Sequence, residues 1–174
     1  MPAQQTSYAL EPTTLGKEGQ LVDSRDIVVD ARRNDLAASA EAVFGLAVCK
    51  SANADDLGFG LCNATTQFLG VLVHSMDLEK TTTGLPNGEF GNVMKKGRVW
   101  VRPVEAVTTA STVKVFIGDH SGTITRAVQG TFGDSAVATK TATMLNARYL
   151  GACAADGYVE LEIDANAVLL VADA

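Results

Sequence analysis

The sequence predicts an all-β fold: a compact β-barrel or tulip-like β domain with an extended N-terminal arm. Three observations carry this expectation. From Ala42 onward, short runs rich in Val, Ile and Thr alternate apolar and polar residues with the period of half-buried strands. Turn-forming strings such as "SANADDLG", "LPNGEFG", "GDHSG" and "AADG" separate the runs. No segment keeps the 3.6-residue apolar period of an amphipathic helix over three turns.

Residues 1–40 read as the arm. The stretch "LEPTTLGKEGQLVDSRDIVVDARRNDLAAS" mixes charge, Gly and Pro with few large apolar side chains, so it has little to bury. Its one strand-like piece is "DIVVD". The piece "DLAASAEAV" offers Asp35 or Ser39 as caps but is long enough for only a turn of helix. The β domain, residues 41–174, presents seven candidate strands: "AVFGLAVCK", "FLGVLVHSMDLE", "GRVWVRPVE", "TVKVFIG", "TITRAVQG", "NARYLGAC" and "GYVELEID". Asn87-Gly88 and Asp156-Gly157 are the strongest hairpin signals. In the last strand Val159, Leu161 and Ile163 point inward, while Glu160 and Glu162 point to solvent. The Ala-rich "AVATKTATMLNA" admits a helix, although its Thr and Val residues lean toward strand or coil.

The stretch "KKGRVWVRPVEAV" holds the single Trp of the chain. Strand alternation puts Val99 and Val101 on one side and Arg98, Trp100 and Arg102 on the other, and Val104, past Pro103, is read with the valines. An Arg-Trp-Arg face suits stacking on a base, a sugar or a carboxylate-bearing partner. It equally suits a half-exposed scaffold strand or a face buried against another subunit.

Composition narrows the function. A length of 174 residues fits one domain with a core and an arm. A formal net charge of −6 and a pI near 4.8 argue against a protein that wraps nucleic acid, which needs a basic stripe. The longest apolar runs, "AVFGLAVC" and "AVLLVA", are too short to cross a bilayer, and "MPAQQTSYALEPTT" lacks the features of an export signal. No membrane partner and a cytoplasm-like site of synthesis are therefore expected. Cys49, Cys62 and Cys153 are odd in number and show no CxxC spacing, which predicts free, mostly buried thiols.

No constellation of residues points to catalysis, a cofactor or a metal. Asp119, His120 and Ser121 are consecutive in "GDHSG", but a triad needs contacts made through the fold, and the flanking glycines mark a turn. His74 ends a strand, and no His–Cys pair has zinc-ligand spacing. "GFG" at Gly58–Gly60 and "GTFGD" at Gly130–Asp134 lack the strand–turn–helix setting of a phosphate cradle. "NAT" at Asn63 has meaning as a glycosylation acceptor only in a secretory context.

The order of motifs carries more information. "GKEGQLVDS" is followed by "AEAVFGLAVCK", "FLGVLVHSMDLE", "MKKGRVWVRPVEAVTTASTVKVF" and "NARYLGACAADGYVELEID". This series resembles the structural cement, or head decoration, proteins of tailed bacteriophages, over about Gly16 to Leu170. The loop "EKTTTGLPNGEFGN" is mostly polar, and "TTASTVKVF" lacks a glycine expected before the V-x-V strand; both departures concern loops. The resemblance implies a non-enzymatic virion protein on the outside of an icosahedral shell. It implies a homotrimer, with the major capsid protein as partner. Under it, Gln20, Leu21, Val22, Asp23 and Ser24 are expected to dock on the shell by adding a strand to an exposed sheet edge. The alternative is that "GQLVDS" starts the domain's own first strand. Arg98, Trp100 and Arg102 become candidates for a subunit contact, where Trp and Arg are enriched. Two competing functions stand beside this one. A displayed module binding a host surface or carbohydrate needs an aromatic platform, and the chain has one Trp, three Tyr and six Phe. A small β hydrolase needs a reactive Cys or the Asp-His-Ser string.

Overall fold

The computed structural model describes residues 18–23, 26–36, 42–51, 56–63, 67–74, 84–118 and 129–170. Among these there is no helix. The strands are β1 (Val28–Asn34), β2 (Ala42–Val43), β3 (Ala47–Lys50), β4 (Gly58–Leu61), β5 (Phe68–Val73), β6 (Gly84–Leu85), β7 (Phe90–Val101), β8 (Lys114–Phe116), β9 (Phe132–Gly133), β10 (Thr141–Tyr149) and β11 (Val159–Leu169). The all-β class holds.

The long strand β7 organises the sheet. Its first half pairs antiparallel with β1, from Val28–Lys96 to Arg33–Phe90, and with β5 through Val71–Met94 to Val73–Asn92. Its second half, Gly97 to Val101, pairs with β11 from Ile163 to Val159. Gly97 marks the change of partner: its φ is +134°, and a Cβ there would stand 2.8 Å from the Ile27 side chain. β1 also pairs in parallel with β4, which pairs with β3, which pairs with β5. The pairings β1–β4–β3–β5–β7 thus return to β1 as a ring. Beyond β7 the sheet continues through β11, β10, β8 and β9, and β2 pairs separately with β6.

Alternation along the shared strands produces two apolar cores. Val48, Leu72 and Val93 pack with Phe44, Phe59 and Leu85 on one face. Ala47, Cys49, Val71, Val73 and Met94 face the other way, toward Val99, Val101, Val115, Phe132, Tyr149, Leu161 and Ile163. Strands covered on both faces read as continuous apolar runs, which explains "FLGVLV". Each fully buried Val, Leu or Phe contributes roughly 1.5–3 kcal/mol.

Buried polar groups fix the loops. Asn34 is fully buried; its Nδ2 donates to the Leu85 carbonyl at 2.7 Å, and its Oδ1 accepts from Leu36 N at 3.0 Å. Its backbone also bonds Gly88 N and the Glu89 carbonyl, so one residue pins the 84–89 turn to β1. Tyr149 donates its hydroxyl to the Gly133 carbonyl at 3.0 Å. Burial first, then the nearby Asp134, Cys153 and Glu105, push its ionisation far up, so it is a permanent neutral donor.

Several expectations change in detail. "AVFGLAVCK" is two strands, because Phe44-Gly45 forms a turn with Gly45 at φ +83°. "GFG" belongs to β4 and "GTFGD" supplies β9. The helix-compatible "AVATKTATMLNA" leads into β10, as its Thr and Val content indicated. Asn87-Gly88 is a turn but not a hairpin, since β6 before it pairs with β2. Asp156-Gly157 does lie in the connection of a hairpin, between the paired strands β10 and β11. Most of "TITRAVQG" lies outside the described residues.

The thiol expectation is overturned. Cys49 and Cys62 are disulfide-bonded, with Cα atoms 4.8 Å apart, and only Cys153 is free. Their separation of 13 residues carries no motif; the β3–β4 hairpin creates the pair by setting Cys49 opposite Gly60, close to Cys62.

Candidate interaction site

The string that the sequence marked for docking lies along β7. Gly19 N donates to the Trp100 carbonyl at 2.8 Å, Trp100 N to the Gln20 carbonyl at 2.9 Å, and Val22 N to the Arg98 carbonyl at 3.0 Å. Leu21 forms a bridge with Val99 and packs on the larger core. On its other flank, His74 N donates to the Gly19 carbonyl at 2.8 Å. The backbone of residues 19–22 is therefore engaged by its own chain. The side chain of Gln20 is exposed, those of Leu21, Val22 and Asp23 are half-buried, and Ser24 lies outside the described residues.

Two motifs that are distant in sequence meet here. Gly19 (φ +77°) and Gly45 (φ +83°) approach back to back. A Cβ on Gly45 would stand 2.9 Å from Gly19 N, and one on Gly19 would stand 2.8 Å from Gly45 N. Both positions need a left-handed backbone and no side chain. The Phe44 ring packs against His74 with centroids 4.5 Å apart. The Gly of "GQLVDS", the Phe-Gly pair of "AVFGLAVCK" and the His of "FLGVLVHS" thus build a single seam.

The Arg98–Trp100–Arg102 face is outward, as alternation requires, with all three residues half-buried. Neither arginine is bare. Arg98 Nε donates to Glu162 Oε1 at 3.1 Å, and Arg148 Nε donates to Glu162 Oε2 at 2.6 Å. The three residues are in register across β7, β11 and β10, forming a lateral Arg–Glu–Arg ladder. Burial opposes the charge on Glu162, but the hydrogen bonds and charges of Arg148 and Arg98 outweigh it and hold its carboxyl below the ordinary value. Arg102 Nε donates to the Asp156 carbonyl at 2.8 Å, beside the Asp156 carboxylate. Sequence reading missed Glu162 and Arg148 as part of this face. The available signal was Glu162's outward position in the alternating strand.

The ladder lines an open cleft of about 720 Å³, together with Asp23, Asp26, Lys96 and Asp164. Asp23 of "GQLVDS" and Arg98 of the Arg98–Trp100–Arg102 face therefore line the same concavity. Among the described residues, no group of His, Cys, Asp and Glu is arranged to hold a metal ion. Asp119, His120 and Ser121 lie outside the described residues.

Comparison with known proteins decides the family. The model of the structural cement protein family (E217 gp24/Pam3 gp6) matches residues 4–164. The chain belongs to this family. A cement protein is a structural component of a phage capsid, so this one has a non-enzymatic, capsid-stabilising role in the virion. Among solved structures, a chain in the capsid of Myoviridae phage XM1 is similar in fold. Its TM-score is 0.62 at 14% identity, covering 85% of the cement protein and 89% of the XM1 chain. No curated protein matches the sequence.

Proposed function

We propose that this cement protein binds the outer surface of an icosahedral phage head as a homotrimer and bridges neighbouring major capsid subunits. The family match over residues 4–164 carries the reading. On this reading Arg98, Trp100 and Arg102 form part of the subunit contact. Trp100 stands between two arginines whose charges Glu162 and Asp156 already compensate. Burying such a face costs less desolvation than burying bare guanidinium groups, and it places an aromatic anchor at the centre.

Gln20, Leu21, Val22, Asp23 and Ser24 form the proposed shell contact. Because β7 engages the backbone of residues 19–22, recognition falls to side chains rather than to an added strand. Gln20 and Asp23 are the polar groups of the string that we assign to it, one exposed and one lining the cleft. Many weak contacts repeated over a symmetric lattice then give strong retention through avidity.

Light scattering on the purified protein followed by co-sedimentation with empty shells tests this function. The expected species has three times the 18.2 kDa chain mass and co-sediments saturably. A Gln20→Ala/Asp23→Ala protein should keep its mass and lose shell binding. A monomer at micromolar concentration refutes the trimer. Full binding by the double variant refutes the shell assignment.

A further inference from the structure

Cys49 and Cys62 hold β4, the strand through which the ring closes on its fewest pairs. β4 meets β3 through three register pairs, but its other edge closes onto β1 through only two, Arg33–Gly58 and Asn34–Phe59. The disulfide ties β3 to the residue just past the end of β4. Its Cα separation of 4.8 Å is one that a disulfide spans without moving the backbone. Both cysteines are fully buried. A cell that keeps thiols reduced does not favour this bond, yet the chain is built to accept it.

We infer that Cys49–Cys62 is a post-release latch: open while the chain is in a reducing cytosol, and closed by an oxidant once the particle is outside. This rests on the virion role described above, in which the protein is made inside a cell and works beyond it. A low-molecular-weight disulfide serves as oxidant. One cysteine loses its proton and its thiolate attacks a sulfur of the small disulfide, releasing one small thiol and leaving a mixed disulfide. The second cysteine, also deprotonated, displaces the other small thiol and forms the Cys49–Cys62 bond. The pair gives up two electrons and two protons, and the oxidant leaves as two thiols.

Burial sets the kinetics. Each exchange waits for a local opening of β4, and the closed bond is then shielded from reductants by the same packing. Cys153 is a weak competitor. With Cys49 and Cys62 bonded to each other it finds no second free thiol, so a small-molecule mixed disulfide formed on it is not resolved within the chain and reverts with the small thiol released.

The test uses the full-length protein. One sample is released from cells directly into denaturant with an alkylating agent, and a second is exposed to oxidised glutathione before alkylation. All three cysteines should be labelled in the first and only Cys153 in the second. Oxidation should raise the melting temperature by roughly 5–10 °C, as expected for closing a loop of this length in a domain of this size. Amide exchange at Gly58–Leu61 should slow by about 100-fold, and exchange at Leu161–Ile163, which follows global unfolding, should slow by no more than that. A Cys49→Ala/Cys62→Ala protein should show no response to oxidant; if it fails to fold, the reduced wild-type chain is the reference. A bond already present at release, three labelled thiols after oxidation, or unchanged exchange at Gly58–Leu61 overturns the proposal. None of these readouts uses shells, so failure here is distinguishable from failure of shell binding.

Discussion

Replacing Gly19 and Gly45 by alanine, singly and together, probes whether the N-terminal string is an integral part of the domain. At φ +77° and +83° an alanine costs roughly 1–2 kcal/mol in backbone strain at each position. The new methyl also meets the opposing chain. At Gly19 it would stand 2.7 Å from Phe44 Cβ, and at Gly45 it would stand 2.9 Å from Gly19 N. The seam must part, weakening the hydrogen bonds from Gly19 N to Trp100 O and from His74 N to Gly19 O. At about 1 kcal/mol each, that loss is about 2 kcal/mol. Each single variant should therefore lose about 3–4 kcal/mol. In the double variant the strain adds but the seam opens only once, giving about 4–6 kcal/mol rather than the additive 6–8. Urea unfolding measures all four corners of the cycle, with unchanged m-values showing that the midpoints report stability. Additivity within about 0.5 kcal/mol would show that the two glycines act independently, and the single-seam account would fail.

Three further outcomes follow from the same structure. Asn34→Ala should cost about 2 kcal/mol in urea unfolding, because the Leu85 carbonyl and Leu36 N lose their partner; a change below about 0.5 kcal/mol would mean that water replaces the amide. Glu162 has its pKa lowered in the folded state. Its contribution is therefore present above the ordinary value of 4.5 and is lost as pH falls through the folded value. The carboxylate is partly exposed, so the stability difference between wild type and Glu162→Gln should stay below about 1 kcal/mol, shrink in high salt and vanish at the acid end. An undiminished difference in strong acid contradicts the ladder. Trp100→Ala should leave the fold intact, since the ring is outward, but weaken self-association by up to about 2–4 kcal/mol if it is the interface anchor. Unchanged association in light scattering removes Trp100 from the contact.

What the sequence discloses depends on whether the information is local. Period-2 alternation encodes which face a residue occupies, so Val99 and Val101 against Trp100, and Leu161 against Glu162, were legible without any knowledge of their partners. Pairing is non-local and was not. "GQLVDS" looks like an arm because its own apolar content is small, and its partner strand β7 lies far along the chain. "GFG" looks like a loop because glycine disfavours strands, yet Gly58 lies in β4 where it passes Asp35, and a Cβ there would meet the Asp35 carboxylate, which would have to shift. Missing β4 also hid the Cys49–Cys62 pair, since only the β3–β4 register brings those residues together. The family motifs were legible as an ordered series. Their physical meaning, a seam of facing glycines and a charge ladder, needed three dimensions.

The central claim, that this protein cements a phage head, is tested most directly by calorimetry on shells assembled without it. Added protein should bind to saturation and raise the temperature at which the shell comes apart, because binding only the intact lattice stabilises it by mass action. Shells that disrupt at the same temperature with saturating protein present would contradict the claim.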